Sequence, residues 1–409
     1  MKTTKTVVIG AGPSGLFAAI QAAEKGERVV VLERNKEAGK KLLLTGEGRC
    51  NLTSTLPPDQ VLDQVFQDAD FLYSSLYTFP PVRTREFFSG RGLKLKEERG
   101  SRIYPKNDSA ESVRRLLVNK AEKAGVNIIY ESRAEEIIYD SRCRGVRLQR
   151  GDKINSDRVI LAAGGCSYPW TGSDGSGYTL AQKTGHSLRP EPVPALVPLK
   201  VAEDWPADAA GLKLKNTGLK LKRENEILFT ETGEIELRED ELGGAAVLAA
   251  SCYFEKGAGK SSLIIDLKPG LDKNKLDDRL KRDFDKFSNK LYRNAFKELL
   301  PAWLRPVIVK LSEIPGNKRI NQITAGQRQA LAGLLKNLQL RVTGTSGYKR
   351  AIITRGGIST DEIDPSTMES KILPGLYFAG EIMAPAAHTG GHNLQIAFST
   401  AYLAAAGGE

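Results

Sequence analysis

Two glycine-rich segments at opposite ends of the chain carry residue types that can hold phosphate and redox groups. The first, Gly10-Ala11-Gly12-Pro13-Ser14-Gly15, follows an apolar run at 6–9 and precedes a helical pattern at 16–23. In a strand-turn-helix unit, the first glycine permits the turn, the second lets backbone amides approach a pyrophosphate, and the third allows close packing. The free amides of the following helix favour negative charge. This segment predicts a dinucleotide site at Gly10, Gly12, Pro13, Ser14 and Gly15.

An acidic residue stands where such a site needs one. Glu33 ends the second apolar strand pattern, 29–32, about twenty positions after the glycines. A carboxylate at this position accepts hydrogen bonds from ribose hydroxyls. It would repel a ribose phosphate, so we expect FAD or NAD and not NADP.

The second segment, near the C-terminus, favours FAD. An apolar strand pattern at 376–379 ends in Gly380 and Glu381, and Thr389-Gly390-Gly391-His392-Asn393 precedes another apolar helix pattern. Glu381 can accept a hydrogen bond from a ribityl chain, and a helix starting near Gly391 would direct its free amides at the flavin pyrimidine edge. If both segments touch one cofactor, the two ends of the chain share a domain. We therefore expect the first and last strands to lie side by side.

Candidate side chains for proton and substrate chemistry are few. The only histidines are His186, His388 and His392, and two of them flank Gly390-Gly391. Imidazole titrates in the range useful for proton transfer, so His388 is a candidate to donate or accept a proton during hydride transfer. The alternative is that His388 packs against or caps the helix. Arg355 either binds a substrate carboxylate or the flavin edge, or forms a surface salt bridge.

The four cysteines do not predict a metal site or a disulfide framework. They are widely scattered, with no CxxC pair and no histidine at metal-ligand spacing. Cys50 also lacks the nearby second cysteine that a flavin-linked disulfide requires. We expect free thiols and no metal.

The elements around these residues indicate an α/β domain interrupted by insertions. Residues 1 to about 34 are predicted to form a strand, a glycine turn, a helix and a second strand. The proline-rich stretch 189–194 suggests a crossing between domains. From about 195 to 268, short segments alternate apolar and polar residues, which predicts a small antiparallel sheet or barrel. Charged helical patterns follow this region. The strictly alternating Leu and Lys residues at 212–222 predict a hairpin that turns at 216–218, with its lysines in solvent.

We therefore predict three parts. A Rossmann-like FAD domain comprises 1–192 and 346–409, a β-barrel-like insertion comprises 193–270 and 338–345, and a helical insertion comprises 271–337.

Bulk composition restricts the class of protein. The chain has 409 residues, 27% of them charged, and a net charge of +11 to which lysines and arginines along the whole length contribute. Such a charge favours anionic partners without choosing among them. No apolar stretch approaches a membrane span, and the first residues do not resemble a signal peptide. These features predict a cytoplasmic protein without a membrane partner.

Beyond the two glycine segments, further motifs resemble one family. Thr45-Gly46-Glu47-Gly48-Arg49-Cys50-Asn51, Ala162-Ala163-Gly164-Gly165-Cys166-Ser167 and Thr389-Gly390-Gly391-His392-Asn393 are together similar to the BaiN/YhiN-like flavoproteins. That family includes aminoacetone oxidases and bile-acid 3-oxo-steroid reductases. The resemblance spans nearly the whole chain and implies the same three-part architecture.

The resemblance also implies which residues line FAD. In addition to the first glycine motif, these are Glu33, Arg34, Lys41, Thr45, Gly46, Arg49, Cys50, Asn51, Ala134, Ala163, Gly164, Gly380, Glu381, Gly391, His392, Asn393 and Leu394. Ala134 matches the segment whose backbone reads adenine. One departure concerns 382–388, where this chain has Ile-Met-Ala-Pro-Ala-Ala-His and relatives often carry an aspartate-rich stretch.

These observations predict an FAD-dependent oxidoreductase that transfers hydride between flavin and a small amine, ketone or enone. No second GxGxxG motif indicates a separate nicotinamide domain, so NAD(P)H as reductant would dock only transiently against the flavin. Oxygen or another acceptor is an equal alternative, which leaves a reductase and an oxidase both open. The alternative is a flavoprotein of tRNA modification. A nucleic-acid partner is not expected, because no aromatic and basic cluster resembles an RNA module. A third hypothesis is a non-enzymatic flavin sensor or carrier.

Overall fold

A computed structural model describes residues 4–407, which form two compact units. One contains the described residues 4–195 and 348–407, and the other is Leu196–Gly347. The strands, in chain order, are β1 (Thr4–Ile9), β2 (Val29–Leu32), β3 (Thr53–Ser54), β4 (Val65–Gln67), β5 (Leu95–Glu98), β6 (Arg102–Pro105), β7 (Asn127–Ile129), β8 (Ala134–Tyr139), β9 (Cys143–Leu148), β10 (Lys153–Leu161), β11 (Val193–Ala195), β12 (Leu199–Val201), β13 (Lys213–Arg223), β14 (Glu226–Leu237), β15 (Glu241–Gly243), β16 (Ser261–Asp266), β17 (Leu338–Thr345), β18 (Ile353–Arg355), β19 (Leu376–Phe378) and β20 (Ala386–Ala387).

The helices are α1 (Pro13–Glu24), α2 (Pro58–Leu62), α3 (Tyr73–Thr78), α4 (Pro81–Ser89), α5 (Ala110–Lys123), α6 (Ser176–Lys183), α7 (Ala245–Ser251), α8 (Lys273–Lys286), α9 (Leu304–Leu311), α10 (Ala325–Lys336) and α11 (His392–Ala406). No helix within residues 4–407 is long and apolar enough to cross a bilayer.

The first unit is built on a mainly parallel sheet. Its parallel strands lie in the order β7-β2-β1-β10-β19, and the start of β10 continues into an antiparallel meander with β9 and β8. The last three residues of each central strand, 7–9 of β1 and 159–161 of β10, are buried and apolar, as expected for a parallel sheet covered on both faces. This is the predicted Rossmann-type α/β fold.

The expectation that the first and last strands are neighbours was wrong. β10 lies between β1 and β19, because β1 is already paired on its two sides by β2 and β10. The carboxyl ends of all three strands nevertheless meet at one sheet edge: Ala162 N donates to Ile9 O, and Ala379 N donates to Leu161 O. The two chain ends therefore share one sheet.

Helix α11 packs against α1 and fixes the two ends together. The Phe17 ring of α1 lies 5.2 Å from the Phe398 ring of α11, and both side chains are fully buried. Phe87 and Phe79 complete this aromatic cluster at 4.8 and 5.1 Å from Phe17. The helix that follows the second glycine segment is thus positioned by apolar contacts with the helix that follows the first.

The second unit contains a closed six-stranded barrel in the order β12-β15-β14-β13-β16-β17, with helices α8–α10 inserted between β16 and β17. The predicted hairpin at 212–222 was wrong: β13 is a single strand. Asn216 adopts a left-handed φ of 51° at a bulge, so the extra residues bend the strand without reversing it. Leu214, Leu219 and Leu221 face the core, and Lys213, Lys215 and Lys220 are exposed.

The finer boundaries at 192, 270 and 338 stay predictions. The barrel strands β12–β16 end at Asp266, the helices occupy Lys273–Lys336, and the last barrel strand begins at Leu338. One apolar core joins the barrel and the helices within this unit.

Candidate cofactor site

The turn after β1 has the shape that a bound phosphate requires. A Cβ on Gly15 would overlap the carbonyl oxygen of Gly10, so only glycine allows α1 to approach the turn this closely. A Cβ on Gly12, by contrast, would meet no atom within 4 Å. Since α1 begins at Pro13, the amides of its first turn have no intrahelical acceptor. The turn therefore presents backbone donors toward open space.

Glu33 lies beside this turn and is 7% exposed. Its Oε2 accepts from Ala11 N at 3.0 Å, and its Oε1 accepts from Asn35 N at 2.8 Å and Asn35 Nδ2 at 2.7 Å. These bonds fix the carboxylate at the end of β2. The role of Asn35 was not found from the sequence, although an amide two residues after a ribose-binding carboxylate is a signal that could have indicated it.

The two glycine segments meet at Ser14 and Gly380. Gly380 has a φ of +77°, and a Cβ there would lie 2.6 Å from Ser14 Oγ. Its amide donates to Thr400 Oγ1 of α11 at 3.0 Å. Both the conformation and the close approach require glycine at this position.

Glu381 is held by a network that joins three distant segments. Its carboxylate forms an ion pair with Lys41 and accepts from Ser167 Oγ at 2.9 Å and Thr354 N at 2.8 Å. The Lys41 ammonium also donates to Ser167 Oγ. Lys41 and Glu381 were predicted as cofactor contacts, whereas Ser167 and Thr354 were missed because only the fold brings them to Glu381.

The segment 45–51 curves toward the start of α11. Thr45 Oγ1 donates to Leu42 O at 2.6 Å. Gly46 has a φ of +56°, and a Cβ at this position would lie 2.9 Å from Asn51 N. The Asn51 amide, oriented by its neighbours, accepts from Gly391 N at 3.0 Å and donates to Thr53 O at 3.2 Å. Asn51 therefore fixes the residue that precedes α11.

The side chains of two residues predicted as cofactor contacts in this segment, Arg49 and Cys50, have defined surroundings within the protein. Arg49 pairs with Glu98 at 3.0 Å and lies 4.3 Å over the Tyr104 ring. Cys50 is fully buried, and burial raises the pKa of its thiol to about 12. A thiol with so high a pKa stays protonated and is a poor nucleophile.

The start of α11 is a second set of backbone donors. Gly391 precedes the helix with a φ of +88°, so the amides of His392, Asn393 and Leu394 begin the first turn. Asn393 Oδ1 accepts from Ala387 N at 3.0 Å and its Nδ2 donates to Ala387 O at 2.7 Å, which ties β20 to the helix. The half-buried Leu394 packs against the core of the first unit.

Both histidines at this helix are electrically neutral near pH 7. Burial lowers the pKa of His392 to about 4, with a smaller contribution from His388 and Arg102. Burial also lowers the pKa of His388, whose ring lies 5.1 Å from the Phe66 ring. His392 is 4% exposed, and its Nδ1 has no hydrogen-bond partner within residues 4–407. A buried imidazole nitrogen without a partner leaves one polar position for a ligand to fill.

The remaining predicted cofactor contacts are Arg34, Ala134, Ala163 and Gly164. Arg34 forms an ion pair with Asp174, and Ala163 and Gly164 follow β10, where a Cβ on Gly164 would lie 2.9 Å from Ser173 Oγ. Ala134 begins β8 and lines a polar cavity of about 430 Å³ with Arg133, Asp174 and Lys183. Arg34, Asp174 and Ala134 are therefore close together.

The other candidate side chains named from the sequence are Arg355, His186 and the cysteines. Arg355 ends β18, half-buried, opposite Val193. His186 is buried, with its ring nitrogens 2.9 Å from Thr184 Oγ1 and 2.7 Å from Ser370 Oγ. The four cysteines are unbonded thiols. No group of three or more His, Cys, Asp or Glu side chains within the described residues could hold a metal ion.

Residues 4–407 match the family described as the HI0933-like protein Rossmann domain. The chain belongs to the HI0933-like family. Among similar members, a 3-dehydro-bile acid delta(4,6)-reductase of Clostridium scindens is 35% identical over 97% of each chain. A ribosomal RNA dihydrouridine synthase of Escherichia coli K12 is 30% identical over 99% of this chain and 98% of its own.

A solved structure with a similar fold is the 3-ketosteroid-delta4-(5alpha)-dehydrogenase of Rhodococcus jostii RHA1, in complex with 4-androstene-3,17-dione. Its TM-score is 0.53 at 15% identity, over 98% of this chain and 96% of that chain. The HI0933-like chain is a Rossmann-fold flavoprotein and an FAD-dependent oxidoreductase.

Proposed function

We propose that this enzyme holds FAD between the turn after β1 and the start of α11, and reduces a carbon–carbon double bond conjugated to a carbonyl group. The observation that carries the proposal is the convergence of two helix N-termini and Glu33 on one sheet edge, with Ser14 against Gly380. Donors for a pyrophosphate and donors for a flavin ring then lie on one surface.

At the first turn, the open space at Gly12 and the amides of α1 fit a pyrophosphate. Glu33 would accept from the adenosine ribose, and the backbone near Ala134 would read the adenine. Arg34 and Asp174 would border that end of the cofactor.

At the second turn, the amides of His392, Asn393 and Leu394 fit an electron-rich ring edge. His392 Nδ1, which is buried without a partner within the described residues, offers one further polar contact. The Lys41–Glu381 pair would hold the ribityl region through Glu381. FAD bound here supplies a two-electron hydride carrier, which no side chain provides.

The proposed substrate chemistry rests on what two relatives' names share. A delta(4,6)-reductase of a 3-dehydro-bile acid and a dihydrouridine synthase both reduce a double bond conjugated to a carbonyl group. A hydride adds to the β-carbon of such a system, and the α-carbon then takes a proton. We propose that His388, in the loop before α11, takes up a proton from solvent and passes it to the α-carbon, because its imidazole is neutral near pH 7 before this step.

The electron source is proposed to be NAD(P)H, docking transiently. Anaerobic mixing of the purified flavoprotein with NADH or NADPH should bleach the flavin absorbance. Addition of 2-cyclohexen-1-one or 4-androstene-3,17-dione should then restore it, with one saturated product formed per flavin. Reduced flavin that reacts with oxygen but with neither enone contradicts the proposal.

A second candidate substrate is a uracil base in RNA. The observation that favours this substrate is the similarity to a ribosomal RNA dihydrouridine synthase over nearly the full chain. The uracil 5,6 double bond is conjugated to the C4 carbonyl, as the double bond of a 3-oxo-Δ4 steroid is to its own carbonyl. Nucleoside mass spectrometry of ribosomal RNA from a deletion strain should show a loss of dihydrouridine that the intact gene restores. Unchanged dihydrouridine would reject this substrate.

A further inference from the structure

The positive charge of the chain is concentrated in its helical segment, residues 271–337. Fifteen residues of this segment are lysine or arginine and seven are aspartate or glutamate, a net charge of +8 within a chain total of +11. The other parts of the chain together carry a net charge of +3, although short stretches such as 83–106 and 213–223 are also basic. An excess of cations indicates a docking surface for a polyanion where the cations are exposed and form no ion pairs.

Ion pairing neutralises only part of this charge. Arg279 pairs with Asp283, Lys286 with Glu298, and Arg328 with Asp277. Other cations are exposed and form no ion pair within the described part of the chain: Lys281, Arg282, Lys290, Arg293, Lys297 and Arg319. Their charges are available to an outside partner.

The backbone brings several of these cations together. The segments 288–293 and 316–321 run side by side, with Ile320 N donating to Lys290 O at 3.0 Å and Arg293 N donating to Gly316 O at 3.1 Å. The buried Tyr292 anchors this pair through a bond from its Oη to Ser312 Oγ at 2.9 Å. Lys290, Arg293 and Arg319 therefore lie on two segments that are hydrogen-bonded to each other.

An exposed aromatic ring lies on the turn that follows Lys297. Trp303 is 69% exposed, and within 271–337, all of it described, it is the one exposed large apolar side chain. Arg305 fixes the turn that carries it, donating from Nε to Leu300 O at 2.9 Å and from Nη2 to Lys297 O at 3.0 Å. Trp303 and Lys297 thus belong to one ordered turn.

We propose that Lys290, Arg293, Lys297, Arg319 and Trp303, named here the cationic patch, dock a single-stranded RNA. The cations would contact phosphates and Trp303 would stack on a base. This rests on the second candidate substrate and departs from the sequence-based expectation that a nucleic-acid partner is absent. That expectation rested on the absence of an aromatic and basic cluster that resembles an RNA module, and these five residues are separated along the sequence.

An RNA strand suits the patch better than an anionic membrane. Membrane-surface helices expose an apolar face beside their cations. The apolar residues of α8 and α9, such as Leu276, Leu280 and Ile308, are buried in the core of the unit. One projecting indole among charges favours stacking on a base over insertion into lipid.

The test measures binding of a fluorescein-labelled, uridine-rich RNA oligonucleotide to the holoenzyme by anisotropy over a range of salt concentrations. The triple variant K290Q/R293Q/R319Q should bind at least tenfold more weakly, with a salt slope reduced by about 2, since each phosphate contact contributes about 0.7. Trp303→Ala should weaken binding about tenfold. The control K213Q/K215Q/K220Q removes the same charge from exposed lysines of β13 and should bind within twofold of wild type.

Equal losses in the control and patch triples, no binding by wild type at low salt, or preference for phosphatidylserine vesicles over RNA would each overturn the proposal. Reduction of 2-cyclohexen-1-one by the patch triple should be unchanged, which separates this proposal from the proposed chemistry. If RNA binding depends on the patch while ribosomal dihydrouridine does not depend on the gene, the docking surface stands and the substrate assignment fails.

Discussion

Glu33 is the residue whose contacts most directly suit a ribose. Its carboxylate is buried and already oriented by Ala11 N and Asn35. Glu33→Gln keeps the shape and removes the charge, and a hydrogen bond to a charged group contributes about 1.5–3 kcal/mol. We expect FAD to bind at least tenfold more weakly, measured by flavin fluorescence on the deflavinated protein. Affinity within twofold of wild type would place the ribose elsewhere.

His392 should make stability depend on pH. Its folded pKa is about 4, below the ordinary value near 6.5, so the unfolded chain binds more protons between these two values. Its contribution, about 3 kcal/mol, is present above pH 6.5 and is lost as the pH falls toward 4. Urea unfolding at intervals from pH 7 to 4 should show a shallower decline for His392→Gln. An identical pH slope in the variant contradicts this.

His388 is proposed to act on protons and not on cofactor binding. His388→Gln should slow reoxidation of reduced flavin by an enone about a hundredfold, as loss of a general acid typically does. Reduction by NAD(P)H and FAD affinity should stay near wild type. A rate equal to wild type in anaerobic stopped-flow mixing would leave His388 as a packing residue.

At the scale of elements, Gly380 tests whether the two glycine segments must touch. Gly380→Ala combines an unfavourable φ of +77° with a clash against Ser14 Oγ, so we expect more than about 1 kcal/mol of destabilisation and loss of flavin. Gly151→Ala is the matched control, because its φ is +96° but a Cβ there meets no atom within 4 Å. Equal thermal stability and flavin content in the two variants would contradict a special contact.

The packing of α1 on α11 is a second element-scale prediction. Phe17→Ala removes a fully buried ring from the cluster with Phe398 and Phe87, and such changes cost about 3–5 kcal/mol. Chemical denaturation should show this loss, while Val82→Ala at an exposed position should change stability by less than about 0.5 kcal/mol.

Local elements were the part of the fold that the sequence predicted best. The turn after β1 and the start of α11 follow from glycine spacing beside apolar runs, which are local signals. The strand order was not predictable in the same way, since nothing local shows that β10 separates β1 from β19. The bulge at Asn216 was mistaken for a reversal because both use a left-handed residue.

At the scale of the whole molecule, tertiary contacts decide what the sequence could not. Ser167 and Thr354 become partners of Glu381 only when β10 and β18 bring distant loops together. Arg49 lies in a motif that resembles cofactor contacts, yet its guanidinium pairs with Glu98. The basic character of 271–337 was present in the sequence and needed a count by segment to be seen.

The proposed chemistry depends on one FAD that spans the turn after β1 and the start of α11. Equilibrium FAD binding to deflavinated wild type, Gly12→Asp, Leu394→Glu and the exposed control Ile372→Glu tests it directly. Wild type and the control should each bind one FAD per chain. Gly12→Asp and Leu394→Glu should each bind FAD at least tenfold more weakly, with unchanged circular dichroism. Full affinity in either Gly12→Asp or Leu394→Glu would contradict a cofactor shared by the two ends of the chain.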